Sequence, residues 1–258
     1  HWPIFEDGKV WLFWGQTYSF WDGRCGLWTS QAEDPDDPKT AWGAPRRLCD
    51  GYMKNKPTVL ANGDWLFPVE FMPEDRPREG EMKVLRDNVG PHAHPELGGG
   101  ERVMSVYRSR DKGSSLDYLG RSAVPPKQRC YPEHMIVERK DGSLLMWGRT
   151  KYGIGRATSA DGGKTWTDMT EFEVKNPNTR FHLRRLRSGA LLLVKNGAID
   201  NQKMRPRDRI TAFVSDDDGK TWTGGLVLDE RKNTSYPDMI ETADGFIHVV
   251  TDRDRHKA

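Results

Sequence analysis

The chain has 258 residues, 35% hydrophobic and 30% charged, with a formal net charge of +2. That length suffices for a large core, and a balance so near neutral gives no electrostatic reason to expect nucleic acid or another polyanion as partner. No apolar run reaches the roughly 18 residues a spanning helix needs, so no transmembrane helix is expected.

Along the chain, short apolar runs follow Gly turns. The first is Val10 to Trp14 after Gly8. A Gly turn between two short apolar runs reads as a β-hairpin. Trp11, Trp14, Trp21 and Trp65 are read as strand-capping core, with an exposed stacking face as the alternative. Ser30 to Trp42 is a stretched copy of a motif that recurs later, and the acidic stretch 33–37 within it is read as a solvated loop tip. The second hairpin runs from Lys54-Asn55-Lys56-Pro57 through Gly63 to Phe67-Pro68-Val69. The segment 73–101 is rich in charge, Gly and Pro. Its His92 and His94 form a lone His-x-His, which reads as a loop feature rather than a metal site, so no metal is expected, nor any cofactor. Cys25, Cys49 and Cys130 show no metal-ligand spacing and allow one disulfide at most.

The strongest signal comes next. Ser159 to Trp166 and Ser215 to Trp222 both read Ser-x-Asp-x-Gly-x-Thr-Trp, the Asp-box, fifty-six residues apart. The Ser and Asp side chains can bond turn amides, the Gly can take a positive φ, and the Trp buries a large ring. Ser109 to Leu116 keeps Ser, Asp and Gly but has Leu in place of Trp. Further hairpins turn at Gly142, Gly189 and Gly245. Boxes alternating with hairpins at this period predict blades of antiparallel sheet in a β-propeller. Residues 1–258 are read as one propeller domain and as a piece of a longer array. An unclosed array would leave sheet edges open.

Three segments carry candidate chemistry. Tyr131 to Arg149 is a hairpin with Glu133 at its start and Arg149 at its end, so the turn at Gly142 brings both to one rim. Arg207-Asp208-Arg209 leads into the box at Ser215, and Thr234 to Asp238 opens the last hairpin around Tyr236. Arg180 to Arg187 alternates Arg with Phe181, Leu183 and Leu186, the pattern of a strand with one cleft-facing or solvated side.

These residues resemble the sialidase (neuraminidase) superfamily over nearly the whole chain. The resemblance implies a six-bladed propeller lacking here its first blade and the end of its last; a five-bladed ring is the alternative. It implies an exo-acting glycoside hydrolase that releases a terminal sialic acid, or a related acidic sugar, with retention. Tyr236 would be the nucleophile and Glu133 its base. Arg149 and Arg209 would grip the sugar carboxylate, with Arg180 and His134 as further substrate-binding residues. Ser235-Tyr236-Pro237 matches the family's Gly/Ser-Tyr-Ser except that Pro237 stands in place of the Ser after the Tyr. The acid/base Asp and the first Arg would belong to the first blade; Asp22 and Arg24 are not assigned to those roles. The resemblance implies a carbohydrate as partner, and the location is expected to be secreted or periplasmic. Two other readings stay open. One is a lyase or other glycosidase acting on uronate polysaccharide with His134 or His182 as base; the other is a non-catalytic carbohydrate-binding propeller.

Overall fold

A computed structural model describes residues 2–6, 8–16, 26–34, 36–71, 103–200 and 207–254. Trp21, Asp22, Arg24, Cys25, His92 and His94 lie outside them. The chain forms two compact units, His1–Ala123 and Val124–Ala258.

Unit 1 holds two antiparallel sheets. One runs in chain order β1 (Trp2–Glu6), β2 (Lys9–Gln16), β3 (Gly26–Ala32) and β4 (Arg46–Asp50). The other joins β5 (Tyr52–Met53) and β6 (Thr58–Val59) to β7 (Trp65–Phe71), then β8 (Val103–Ser109) and β9 (Asp117–Ala123). Trp11, Phe13, Leu27, Met53, Trp65, Phe67 and Val69 form the core between them. Trp11 and Trp65 are therefore core side chains, as their place in apolar runs suggested.

Unit 2 repeats the pattern. Its first sheet is β10 (Met135–Glu138), β11 (Leu144–Thr150), β12 (Gly153–Ser159) and β13 (Thr170–Glu171). Its second is β14 (His182–Arg185), β15 (Leu191–Asn196), β16 (Asp208–Ser215) and β17 (Thr223–Lys232). A two-stranded sheet follows, β18 (Thr234–Glu241) with β19 (Ile247–Arg253). The first two sheets pack through Met135, Trp147, Phe181, Leu183, Leu193 and neighbours. Each large apolar side chain so buried contributes roughly 2–3 kcal/mol. Leu192, Val194, Ile210 and Met239 join the second sheet to the third.

The boxes form the predicted turns. Ser159 Oγ accepts from Gly163 N at 2.9 Å and donates to Asp161 at 2.8 Å, and Asp161 accepts from Thr165 N at 2.9 Å. Ser215, Asp217, Gly219 and Thr221 repeat the set. Gly219 has φ +84°, a turn conformation that favours glycine. Ser109, Asp111, Gly113 and Ser115 make the same bonds, with Leu116 packed on the unit 1 core. The stretched copy does not: Ser30 Oγ donates to the Gly43 carbonyl, and Trp42 is 49% exposed. The insertion lengthens the turn past the reach of one Asp.

Four hairpins share one turn. The glycine N–H donates to the residue three earlier at Gly63, Gly142, Gly189 and Gly245. The residue five before each glycine faces the residue three after it: Thr58 with Leu66, Val137 with Leu145, Arg184 with Leu192, Ile240 with His248. Equal turns give equal registers. The residue nine before each glycine then lies toward the open end of its hairpin. In unit 2 those residues are Glu133, Arg180 and Tyr236.

Candidate active site

The site is built from these open ends in unit 2. Arg149 N donates to the Pro132 carbonyl at 2.8 Å, which carries the β10–β11 pairing outward to Glu133. Glu133 has φ 40° and Tyr236 has φ 54°, both in the left-handed region that disfavours L side chains. Such conformations cost of order 1–3 kcal/mol each and persist only where the surroundings impose them. At Tyr236 the cause is a bulge, because the β18–β19 register slips between Ser235 and Asp238.

The two strained residues meet. The Tyr236 hydroxyl donates to Glu133 Oε1 at 3.0 Å. Arg149 Nη1 donates to Glu133 Oε2 at 2.8 Å and to the Tyr236 oxygen at 3.0 Å. Glu133 is 1% exposed and Arg149 5%, so the ion pair works in a medium where charge is poorly screened. Burial opposes the Arg149 charge, but the Glu133 carboxylate and Tyr236 outweigh it and raise the guanidinium above its usual range. Burial raises the Tyr236 phenol above the ordinary tyrosine value. The Glu133 charge adds to that rise, and Arg149 opposes it.

Two further residues complete the arrangement. Asn178 Oδ1 accepts from Arg149 Nε at 2.7 Å, and the Asn178 carbonyl accepts from Arg207 Nη2 at 2.8 Å. The 176–179 loop is tied by Asn176 Nδ2, which donates to the carbonyls of Pro177 and Thr179 at 2.9 Å. Arg207 lies over the Tyr236 ring at 5.9 Å and Arg180 lies over it at 5.5 Å. Three guanidinium groups and one carboxylate thus surround one phenol, an excess of positive charge suited to an anion. Arg149 also lies over the Tyr131 ring at 5.6 Å, and Tyr131 is 42% exposed.

The remaining sequence candidates have other surroundings, except that Arg180 also covers the Tyr236 ring. Arg209 is exposed, with φ 53°, at a register shift between Asp208 and Ile210. That kink breaks strand alternation and turns Arg207, not Arg209, to the Tyr236 ring. Arg180 is buried, and its Nη2 donates to the carbonyls of Tyr236 and Pro237 at 3.2 and 2.8 Å. His134 is 1% exposed. His182 Nδ1 lies 3.3 Å from Asp238 Oδ1. Sequence reading passed over Asn178, whose only signal was its place in the turn-forming Asn176-Pro177-Asn178. Among the described residues no group of three His, Cys, Asp or Glu side chains could hold a metal ion, and no helix is long and apolar enough to cross a membrane.

Comparison with known proteins adds a family and a fold. The family model described as a BNR repeat-like domain matches residues 4–249. Trypanosoma rangeli sialidase in complex with sialic acid superposes with a TM-score of 0.62 at 17% identity, over 96% of this chain and 41% of that one. A Hadza microbial sialidase gives 0.62 at 17% identity, over 90% of this chain and 45% of that one. NanB sialidase from Streptococcus pneumoniae gives 0.58 at 14% identity, over 88% of this chain and 32% of that one. The chain thus spans less than half the length of each. At these identities the likeness is one of fold, the sialidase β-propeller. No curated protein matched the chain.

Proposed function

The chain belongs to the family of BNR repeat-like domains, and from that premise we propose that it carries the nucleophile side of a retaining exo-glycosidase of sialidase type. The observation that carries the reading is the Tyr236 hydroxyl 3.0 Å from Glu133 Oε1 and 3.0 Å from Arg149 Nη1.

A phenol is a weak nucleophile near neutral pH, since free tyrosine titrates at about 10, and here burial raises it further. It reacts only if a base takes its proton as the bond forms. Glu133 is within reach. In the first step the Tyr236 oxygen attacks the anomeric carbon, the phenol proton passes to Glu133 Oε1, and the bond to the leaving oxygen breaks. In the second step water replaces Tyr236 at the anomeric carbon, gives its proton to the group that had protonated the leaving oxygen, and Tyr236 recovers its own proton from Glu133. Two displacements give retention. The leaving oxygen is protonated by a general acid to which no residue of this chain is assigned.

The charge pattern supports an anionic sugar. A carboxylate nucleophile would meet electrostatic repulsion from a sugar carboxylate, and a neutral phenol avoids it. Arg149 engages Glu133, Tyr236 and Asn178 through Nη1 and Nε, which leaves its Nη2 end for the ligand carboxylate. Arg207 joins it, held by the Asn178 carbonyl. Guanidinium forks suit carboxylates better than ammonium groups do. The same forks suit a uronate, so a uronate glycan is the second substrate class to try.

The test is release of a fluorophore from an α-sialoside by the protein and by Tyr236→Phe. Turnover that falls by about 10³-fold or more in the variant supports the nucleophile assignment. A protein inactive on sialosides but active on a uronate glycan, with Tyr236→Phe unimpaired, overturns it.

A further inference from the structure

We infer that Arg180 is a positioning residue for Tyr236 rather than a ligand for the substrate. The inference rests on the reading of Tyr236 as nucleophile.

Arg180 opens the β14–β15 hairpin as Glu133 opens β10–β11. It is 7% exposed. One nitrogen, Nη2, donates to two successive carbonyls, Tyr236 at 3.2 Å and Pro237 at 2.8 Å. In a regular strand successive carbonyls point to opposite sides and cannot share a donor. They converge here because Tyr236 has φ 54° and the register slips between Ser235 and Asp238. The bulge takes these carbonyls out of the regular ladder, and buried carbonyls need donors. Pro237 contributes no N–H, and a proline biases the residue before it toward extended backbone. The local sequence therefore pulls Tyr236 away from the conformation it holds, and the Arg180 clamp opposes that pull. The Arg180 guanidinium also covers the Tyr236 ring at 5.5 Å. A charged donor to neutral carbonyls makes bonds stronger than neutral pairs make.

The consequence is geometric. With the 236–237 peptides held, the phenol reaches Glu133 Oε1; released, the backbone relaxes toward extended and the hydroxyl leaves its base. The raised phenol pKa then relaxes too, because burial and the Glu133 charge cause it.

The experiment uses Arg180→Met, with Arg180→Gln as a second variant should the first melt far below the parent. Each is assayed on the fluorogenic α-sialoside. The Tyr236 phenol is titrated by NMR of ring-labelled tyrosine, with its resonance identified by loss in Tyr236→Phe. We expect kcat to fall about 10²-fold with KM changed by less than about twofold, since alignment of nucleophile and base is lost while the carboxylate grip stays. We also expect the phenol to titrate lower, toward the ordinary tyrosine value. A KM raised about tenfold with kcat and titration unchanged would make Arg180 a substrate ligand and overturn the inference. A phenol that titrates higher would make Arg180 a through-space charge only, and would overturn it as well. If the parent turns over no sialoside while the phenol still shifts downward in the variant, the catalytic reading fails and the positioning role stands.

Discussion

The β6–β7 hairpin of unit 1 and the β10–β11 hairpin of unit 2 are built alike and filled oppositely. Both turn on a glycine with the same backbone bonds, at Leu60–Gly63 and Arg139–Gly142. Nine residues before and seven after the glycine stand Lys54 and Glu70 in the first, Glu133 and Arg149 in the second. The charges are reversed. The Lys54–Glu70 pair is loose, 3.9 Å between Nζ and Oε2, with Glu70 fully buried and Lys54 over the Tyr52 ring. The Glu133–Arg149 pair is tight at 2.8 Å and shares its hydrogen bonds with a phenol. A hairpin register therefore supplies two facing positions and no chemistry. Chemistry enters when a third side chain from another hairpin joins the pair.

The comparison is broken most directly at that third side chain. Tyr236→Phe keeps the ion pair and removes the hydroxyl, so turnover of an α-sialoside is expected to fall by about 10³-fold or more. Glu133→Gln removes the proton acceptor, with a loss of about 10²–10⁴-fold in kcat measured on the same substrate. At Glu70, by contrast, Glu70→Gln is expected to show in a thermal melt, with roughly 3–5 kcal/mol lost, because a buried ion pair loses one member.

The boxes allow a second comparison between the units. Trp222 packs on Trp147 at 5.6 Å in unit 2, and Leu116 occupies its box position in unit 1. Denaturant unfolding should place Trp222→Ala about 3 kcal/mol below the parent and Leu116→Ala about 2 below, in proportion to the side chain removed.

The smallest effect concerns pH. Asp217 is held well below the ordinary carboxylate value by hydrogen bonds from Thr221 and Ser215. A depressed folded-state pKa adds stability that is fully present above the unfolded value, near about 4, and is lost as pH falls through the folded value. Melting curves of Asp217→Asn and parent should therefore differ most above about pH 4 and converge as acid is added. A gap that stays constant down to strong acid would mean that the turn depends on shape and not on ionisation.

Much of the site was legible because it lies on local signals. Gly142 announces the turn that brings Glu133 to Arg149, and the boxes announce the strands that lead into them. Arg207 was not distinguishable from Arg209. The two share a face in any regular strand, and only the kink at Arg209 separates them. Arg180 was readable as an arginine near a strand start, but not as a clamp on two carbonyls, because those carbonyls converge only through a bulge fifty-six residues on. Asn178 carries no periodicity at all.

By itself, then, the amino-acid order determined what short-range physics encodes: the turns, the box hydrogen bonds, the apolar strands and the family to which they belong. Tertiary structure decided which side chains meet. Glu133 and Arg149 come from one hairpin, Asn178 and Arg180 from the stretch between β13 and β14, and Arg207 and Tyr236 from two further places along the chain. Their approach to one phenol depends on hairpin packing and on two positive-φ residues that no local preference favours. Contacts over such separations are set by the packed core that orders the hairpins, and a spacing along the chain does not record them.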